Sequence, residues 1–507
     1  MTPGSASAAR RWWVLALLGT AFFMTILDGT SLLTALPSIE RSLRISGPAF
    51  QWAVTAYALA FSGPLLLCGR AADLLGRRRM FAAGMVLRIL ASLLCGLAPS
   101  LGVLVAARAL QGISAAIIAP AALSMVMNTF PEGAGRNKAL GIWGGLGGLG
   151  ATAGLLLGGL VTDTLGWQWV FWINIPAGAA VLALVPVLLP ESRTARGDRS
   201  FNVSGALTIT PALVLLVYGI TQAPAAGWSS PRTTAPLTAA AALGCLFVLI
   251  EKGAAAPLMP LRLLRSRTLA GGSLLLLIAG MSVDGMLVTL TGYAQQVLGW
   301  PALHFGMVAA VMTAASIAAA LISQRAVTSL GVQRVTVPGA ALPGGACLLL
   351  TQLPAGGSPG LLLAALLAFG AGMGALAVGS QIAALTGVPE KDSGTAAGLA
   401  DTCFAIGPAL GTAICVSIAA HRTTAAGHVT AAGRPAATAL TSGQHAAFAA
   451  ASTFALLGLI TALGLLRSPD SAHSPDTSST TPPQQPHHSS TPAHQPRQGH
   501  LAGRRQR

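Results

Sequence analysis

The chain has 507 residues, of which 53% are hydrophobic and only 9% are charged, and its mean hydropathy is +0.68. This composition is too apolar and too poor in charge for a soluble domain, so it predicts a protein that lies in a lipid bilayer. The formal net charge of +16 raises the question of a nucleic-acid partner, which the positions of the basic residues answer below.

Fourteen apolar stretches are long enough to be candidate membrane-spanning helices, since each crossing needs about 20 residues. In chain order they cover residues 12–36, 49–68, 80–98, 102–128, 139–161, 168–189, 204–222, 234–250, 270–292, 303–323, 335–353, 360–386, 393–418 and 446–466. The predicted fold class is therefore an all-α integral membrane protein. An even number of crossings places both termini on the same side.

The basic residues predict which side that is. Of the 30 lysines and arginines, those in loops predicted to lie outside are Arg41, Arg44, Arg232, Arg422 and Arg434. Cytoplasmic loops keep Lys and Arg whereas translocated loops lose them, so both termini are predicted to be cytoplasmic. The positive charge is then a sign of topology, and no nucleic-acid partner is expected.

The end of the chain differs in composition from the rest. Residues 467–507 are rich in Ser, Thr, Pro, Gln and His, and such a composition cannot bury apolar surface. We predict a disordered cytoplasmic tail. Its histidines are more simply explained by a solvated low-complexity segment than by a metal site.

Three short matches recur in order, at nearly constant spacing, between the first and second parts of the chain. They pair Asp28 and Gly29 with Asp284 and Gly285, then Arg70, Gly76 and Arg79 with Arg325, Gly331 and Arg334, then Gly154 and Gly158 with Gly407 and Gly411. Repeats of this kind are typical of transporters built from two related bundles. The predicted units are an N-terminal six-helix bundle (1–198), two inserted helices (199–258), a C-terminal six-helix bundle (259–466) and the tail.

A dense charged segment from Gly69 to Arg79 follows the second apolar stretch. It resembles the cytoplasmic signature loop of the major facilitator superfamily at Gly69, Asp73, Gly76, Arg77 and Arg78. The resemblance implies a gating loop that latches the two bundles together at the cytoplasmic face and opens as they rock, with both glycines in a tight turn. The alternative is a plain basic anchor, but charge alone does not require this spacing of Gly and Asp.

Asp28, upstream of Ala35-Leu36-Pro37, resembles the first-helix signature of the same superfamily. A carboxylate at the centre of a membrane helix costs about 2.5 to 3.5 kcal/mol, so it should face the bundle interior or water. Arg108, followed by Gln111 and Gly112, resembles the buried arginine motif of the superfamily. A guanidinium can hold a nearby carboxylate deprotonated, so we expect Asp28 and Arg108 to form a proton-coupling pair; a structural salt bridge is the alternative.

Two further acids, Asp284 and Asp401, interrupt apolar stretches in the second part of the chain. If they line one cavity with Asp28, they make it acidic, which suits a cationic or zwitterionic substrate. The alternative is that one of them pairs with Arg88 or lies near an interface.

The stretch around Gly154, Gly158 and Gly159 is rich in glycine, and four-residue spacing on one helix face allows another helix to approach closely. The antiporter motif of the superfamily has a proline after the first of these glycines, where this chain has Leu155. Pro408 follows Gly407 at the repeat-related place. We therefore expect the kink that serves as a hinge to lie at Pro408.

The segments Gly166–Pro176 and Tyr293–Gly299 resemble the fourteen-helix drug:proton antiporter branch. That resemblance implies a proton-coupled exporter of small amphipathic or cationic organic molecules, such as drugs, antibiotics or secondary metabolites. It would work by alternating access in the cytoplasmic membrane of a bacterium, driven by the proton-motive force without a cofactor or catalytic residues. The alternatives are a proton-coupled uptake symporter of the same superfamily and a non-transporting sensor, the latter suggested only by the tail.

Overall fold

The computed structural model describes residues 3–43, 52–189, 202–254, 257–260, 262–430 and 436–466. Within these ranges the chain forms α-helices and no β-strand, which confirms the all-α prediction. Helices α1 to α16 are Pro3–Leu43, Trp52–Ser62, Leu65–Leu75, Arg77–Gly96, Leu101–Thr129, Ala134–Leu165, Gln168–Trp172, Asn174–Leu188, Val203–Ala226, Pro231–Gly253, Arg267–Gly292, Ala302–Leu330, Val332–Leu350, Pro359–Leu385, Ser393–Thr430 and Ala436–Leu465. The predicted tail and the predicted boundary at residue 198 lie outside the described residues.

In the described part of the chain, twelve helices are long and apolar enough to cross a membrane, or thirteen if α2 and α3, which meet at a bend of 45°, form one span. The predicted stretch that is missing from this count is 335–353. It corresponds to α13, a helix of 19 residues with Pro338 and Pro343 inside it. Gln333 and Arg334 in its first turn lower its mean hydropathy, which is why the predicted fourteen becomes thirteen.

The charged segment from Gly69 to Arg79 is mostly helical, contrary to the predicted turn. Residues up to Leu75 belong to α3, and Arg77 already begins α4. Only Gly76 lies between the two helices, with φ of 100°, a conformation that favours glycine. Gly69 is therefore not a turn residue. We call the ends of α3, α4 and α15 around Gly76 the charged end of the molecule.

Two groups of contacts join the N-terminal helices, α1–α8, to the C-terminal helices, α11–α16. In the first seam α15 packs against α3 and also contacts α5 and α2, and in the second seam α6 packs against α12 and also contacts α14. Elsewhere α1 lies along α6 and α5 contacts both α2 and α4, while α11 lies along α15 and α14 contacts both α12 and α13. The division of the chain into two bundles with an inserted pair stays a prediction.

The glycines of α6 serve two different neighbours. A Cβ at Gly150 would lie 3.1 Å from Cβ of Ile26 in α1, and one at Gly158 would lie 2.8 Å from Cα of Ser31. On another face, a Cβ at Gly148 would lie 3.5 Å from Cγ2 of Thr313 in α12. The absence of side chains thus allows α6 to approach α1 closely while it also forms the second seam.

Helices α9 and α10 pack against each other, and α9 also contacts α2, α3 and α15. It therefore lies across the first seam. The loop that follows α10 is held by Glu251, whose carboxylate accepts hydrogen bonds from the backbone N–H groups of Leu258 and Met259, both at 3.1 Å. Arg262 then reaches Asp392, next to α15, at 3.1 Å.

Candidate functional site

Asp28 of α1 and Arg108 of α5 form a buried ion pair. Nη1 of Arg108 donates to Oδ2 of Asp28 at 2.8 Å, and the two residues are 1% and 0% exposed. The structure thus brings together the two residues predicted for proton coupling. The same guanidinium lies over the ring of Tyr57, 4.4 Å from its centroid, and donates to the backbone carbonyl of Ala53 at 3.3 Å.

Two amide side chains complete the surroundings of the carboxylate. Nε2 of Gln111 and Nδ2 of Asn174 both donate to Oδ1 of Asp28, at 3.4 Å and 3.2 Å. Gln111 is itself held by Arg108, which donates to its Oε1 at 2.8 Å, and by Ser92, which accepts from its Nε2 at 3.0 Å. Hydrogen-bond donors thus meet both oxygens of the Asp28 carboxylate.

A second arginine, Arg88 of α4, shares the same carboxylate. Its Nη2 lies 3.6 Å from Oδ2 of Asp28 and donates to the backbone carbonyl of Met24 at 2.8 Å. Its Nε and Nη1 are buried and have no hydrogen-bond partner among the residues that the structure describes. Two guanidinium groups therefore lie beside one carboxylate. We call Asp28, Arg88, Arg108, Gln111 and Asn174 the Asp28 cluster; it has an excess positive charge while Asp28 is ionised.

Asp73 connects the N-terminal helices to the amino end of α15 in the first seam. Its Oδ1 accepts from the backbone N–H of Gly394 and its Oδ2 from that of Thr395, both at 2.9 Å, and Thr395 Oγ1 adds a third bond at 3.2 Å. Arg77 holds the same carboxylate at 3.0 Å. A carboxylate bonded to the first free N–H groups of a helix is a favourable cap, because the helix dipole is positive there.

Further ion pairs at the charged end involve the segment before α15. Asp392 pairs with Arg262 at 3.1 Å and lies 4.0 Å from Arg70. Arg77 donates to the backbone carbonyl of Glu390 and lies 3.7 Å from its carboxylate. Arg78, which the sequence placed in the gating loop, forms no ion pair within the described part of the chain.

Glycine makes this approach possible. A Cβ at Gly69 would overlap the backbone oxygen of Gly394 and lie 3.1 Å from Cα of Gly398. The backbones of α3 and α15 are therefore in direct contact. This is the role of Gly69, in place of the predicted turn.

The repeat-related position at the second seam is neutral. Gly331, with φ of 88°, separates α12 from α13 as Gly76 separates α3 from α4. Where Asp73 would be, Thr328 accepts through Oγ1 from Nδ2 of Asn137 near the amino end of α6, at 2.9 Å. Beside it, the backbone N–H of Gly387 donates to Oε1 of Glu132 at 3.0 Å.

The two remaining predicted acids, Asp284 and Asp401, lie outside the Asp28 cluster. Asp284 in α11 and Asp401 in α15 form no ion pair within the described residues, and Oδ2 of Asp401 is buried without a hydrogen-bond partner. Asp401 follows Gly398 by three residues and so lies on the face of α15 that meets α3. The idea that Arg88 pairs with one of these acids is wrong, because Arg88 lies beside Asp28.

The predicted packing residues separate into two groups. A Cβ at Gly154 or Gly158 would collide with α1, at Thr30 and Ser31 respectively, but one at Gly159 would meet nothing within 4 Å. Pro408 packs on α11, since a Cβ at Gly280 would lie 2.7 Å from its Cδ. Gly154 and Gly158 thus lie in close contact with α1, and the hinge at Pro408 stays a prediction.

Several members of these sites were missed at the sequence level. Asn174 carried a recognisable motif but no assigned role, and Glu390 and Asp392 were not considered. The positions of Glu390 and Asp392 could have indicated a role, since both directly precede a membrane-length helix in a chain with only 14 acidic residues.

The model of the Major Facilitator Superfamily matches residues 18–412. The chain belongs to this superfamily. The match includes the Asp28 cluster, the first seam and the second seam, and it accounts for the all-helical fold.

Members of the superfamily that resemble the chain include two antibiotic resistance proteins. The puromycin resistance protein pur8 of Streptomyces alboniger is 34% identical over 421 residues, which is 82% of this chain and 83% of that protein. The tetracenomycin C resistance and export protein of Streptomyces glaucescens is 33% identical over 413 residues, 82% of this chain and 77% of that protein. The solved structure of the human organic anion transporter MFSD10 (TETRAN) superposes with a TM-score of 0.63 and 17% identity, covering 91% of this chain and all of that one, which shows a shared fold.

Proposed function

We propose that this chain is a proton-coupled efflux transporter that exports drugs, antibiotics or secondary metabolites across the cytoplasmic membrane of a bacterium. Both termini would be cytoplasmic, and the proton-motive force would supply the driving energy without a cofactor. The observation that carries the proposal is the buried Asp28–Arg108 pair, with Nη1 and Oδ2 at 2.8 Å. The kinship to antibiotic export and resistance proteins over most of the chain supports the direction of transport.

The chemistry of the cluster fits a proton carrier. Arg108, Gln111 and Asn174 all donate to the ionised carboxylate of Asp28. A proton on that carboxylate removes its charge and one of its acceptor positions, so the ion pair and at least one amide bond weaken together. The helices that carry these groups, α1, α5 and α8, would then be free to shift relative to one another.

The contacts at the charged end describe one state of the cycle. Asp73 bonds to the amino end of α15, and Gly69 lies against Gly394. With the termini inside the cell, this end is cytoplasmic, so the described state is closed towards the cytoplasm. Access from the cytoplasm requires these bonds to break, which is the gating step proposed for Gly69, Asp73, Gly76 and Arg77.

The substrate class follows from size and charge. We propose small amphipathic or cationic organic molecules, because Asp284 and Asp401 supply negative charge in the C-terminal helices without a cationic partner in the described residues. A cation attracted to these acids would be released when they take up protons. Competition of this kind between proton and substrate is what antiport requires.

The experiment measures substrate-dependent proton movement in inverted membrane vesicles that carry an imposed proton gradient, with puromycin and tetracenomycin C as probes. Asp28→Asn should abolish the substrate-dependent signal and the resistance of an efflux-deficient host. The matched control is Asp163→Asn, since Asp163 is an exposed acid at the end of α6. Intact coupling in Asp28→Asn would overturn the proton role of Asp28, and energised accumulation by intact cells would favour the uptake symporter.

A further inference from the structure

A cavity of about 450 Å³ lies at the charged end, between the N-terminal helices and the segment before α15. Basic side chains line it from two separate elements: Arg10 and Arg11 of α1, and Arg77 at the start of α4. Asn128 and Thr129 at the end of α5 add neutral polar groups, and Glu390 supplies one carboxylate. Arg77 is already paired with Asp73, so the guanidinium groups of Arg10 and Arg11 exceed the one lining acid, Glu390, and the cavity favours an anion.

A smaller cavity of about 350 Å³ adjoins it. The two share Arg11, Asn128, Thr129 and Glu390, and the smaller one adds Arg136. Arg136 is held by backbone carbonyls of Met127 and Phe130 at 2.9 Å and 2.8 Å. Its Nη1 also pairs with Glu132 at 3.1 Å, so Arg136 adds hydrogen-bond donors to the lining but no excess charge.

The cavity lies at the level of the membrane surface. The spans that line it are Ala9–Leu32, Arg77–Gly96, Leu101–Thr129 and Gln168–Leu188, and each contributes residues at its terminus. The ends of spanning helices lie at the level of the lipid headgroups. An anion in this cavity would therefore lie where phospholipid phosphates lie.

The outer wall beside the cavity is apolar. Trp13 is 65% exposed and Val187 is 66% exposed, and Arg10 donates to the backbone carbonyl of Val187 at 3.4 Å. Exposed apolar side chains directly next to basic groups provide a surface for an acyl chain below a charged headgroup. This arrangement favours a lipid over a free anion as the source of the phosphate.

We propose that this cavity binds the phosphate headgroup of an acidic phospholipid, and that the headgroup competes with Glu390 for Arg77. Nη1 of Arg77 lies 3.7 Å from the carboxylate of Glu390, which is beyond hydrogen-bond distance, and the side chain of Glu390 is 76% exposed. A phosphate held by Arg10 and Arg11 can take this position. Binding would then weaken one of the contacts between the N-terminal helices and the segment before α15.

The test measures lipid binding to the purified full chain by native mass spectrometry, with phosphatidylglycerol and, as the neutral comparison, phosphatidylcholine. We expect a preference for phosphatidylglycerol. The double substitution Arg10→Gln and Arg11→Gln should weaken its binding about 30-fold, or about fivefold per arginine. Glu390→Gln should strengthen it, because the competing carboxylate loses its charge; an effect of this sign is not produced by a damaged fold.

The matched control is the double substitution Arg265→Gln and Arg267→Gln, which removes two exposed arginines at the end of another span, outside the cavity. Equal weakening in this control, no preference for phosphatidylglycerol, or no gain in Glu390→Gln would overturn the proposal. Saturation of the site by inorganic phosphate alone would overturn the assignment to a lipid. Because binding is measured without transport, its failure is distinct from a failure of the export function.

Discussion

Asp73 and Thr328 occupy repeat-related positions, yet they hold the two seams in different ways. Asp73 accepts two backbone bonds from the amino end of α15 at 2.9 Å and is itself paired with Arg77. Thr328 accepts a single bond from the side chain of Asn137, and the one carboxylate beside it, Glu132, accepts one backbone bond from Gly387. Charge-assisted bonds are roughly twice as strong as neutral ones, so the first seam is the stronger of the two and its opening costs more.

The same contrast holds for the buried acids. Asp28 is surrounded by two guanidinium groups and two amides, whereas Asp284 forms no ion pair within the described residues. In both comparisons the acid of the N-terminal helices, Asp73 or Asp28, is paired with arginine. Its counterpart is either uncharged, as Thr328 is, or has no ion pair in the described residues, as is the case for Asp284. The buried charge cluster of the N-terminal helices thus has no counterpart around Asp284 in the described residues.

The largest expected effect comes from breaking the buried pair. Among the described residues, Arg108→Ala leaves only the guanidinium of Arg88 beside Asp28, and removal of one partner of a buried pair costs about 3 to 5 kcal/mol. The thermal unfolding midpoint in detergent should fall steeply, whereas Asp284→Ala should leave it nearly unchanged. Equal midpoints for the two variants would remove the contrast between the buried acids.

Asp73→Asn should open the first seam, because it removes the charge from three hydrogen bonds at about 1.5 to 3 kcal/mol each. The native Cys68 reports this directly, since it is 7% exposed and packs with Leu65 and Ala116 beside the seam. Maleimide labelling of Cys68, read by peptide mass spectrometry, should rise in Asp73→Asn and not in Thr328→Val. If Thr328→Val raises it as much, the two seams are equivalent and the comparison is wrong.

A substitution of glycine tests packing in the two seams. Gly69→Ala places a methyl group against the backbone of α15, where the neighbours cannot move aside, and overpacking of this kind costs about 1 to 3 kcal/mol. Gly148→Ala in the second seam meets Thr313 at an ordinary contact distance of 3.5 Å. Resistance of an efflux-deficient host should fall in Gly69→Ala and persist in Gly148→Ala, with Gly159→Ala as the variant that meets no neighbour.

Thr328→Val should have the smallest effect, because it removes one neutral hydrogen bond worth about 0.5 to 1.5 kcal/mol. The rate of transport should change little, and the unfolding midpoint should move by less than in Arg108→Ala, Asp73→Asn or Gly69→Ala. A loss of transport comparable with that of Asp73→Asn would show that the second seam gates the transport cycle as strongly as the first.

Individual functional residues could be predicted from the sequence more readily than the contacts between them. Asp28 and Arg108 were predicted as a pair because a membrane helix rarely keeps a charge without a partner. The addition of Asn174 and Arg88 depends on how α8 and α4 pack on α1, and no local pattern encodes that packing. Gly69 was misassigned to a turn because glycine serves both turns and close helix contacts, and its neighbour Gly394 is remote in the chain.

The contact between Asp73 and α15 means that this helix takes its cap from a distant segment. Whenever the first seam opens, the N–H groups of Gly394 and Thr395 lose the carboxylate and must be hydrated, and the first turn of α15 is then prone to fray. The exchange rate of these two amides with solvent deuterium should therefore follow the fraction of molecules that are open at the charged end. The conformational equilibrium of the transporter would be readable, without any label, from the protection of a single helical turn.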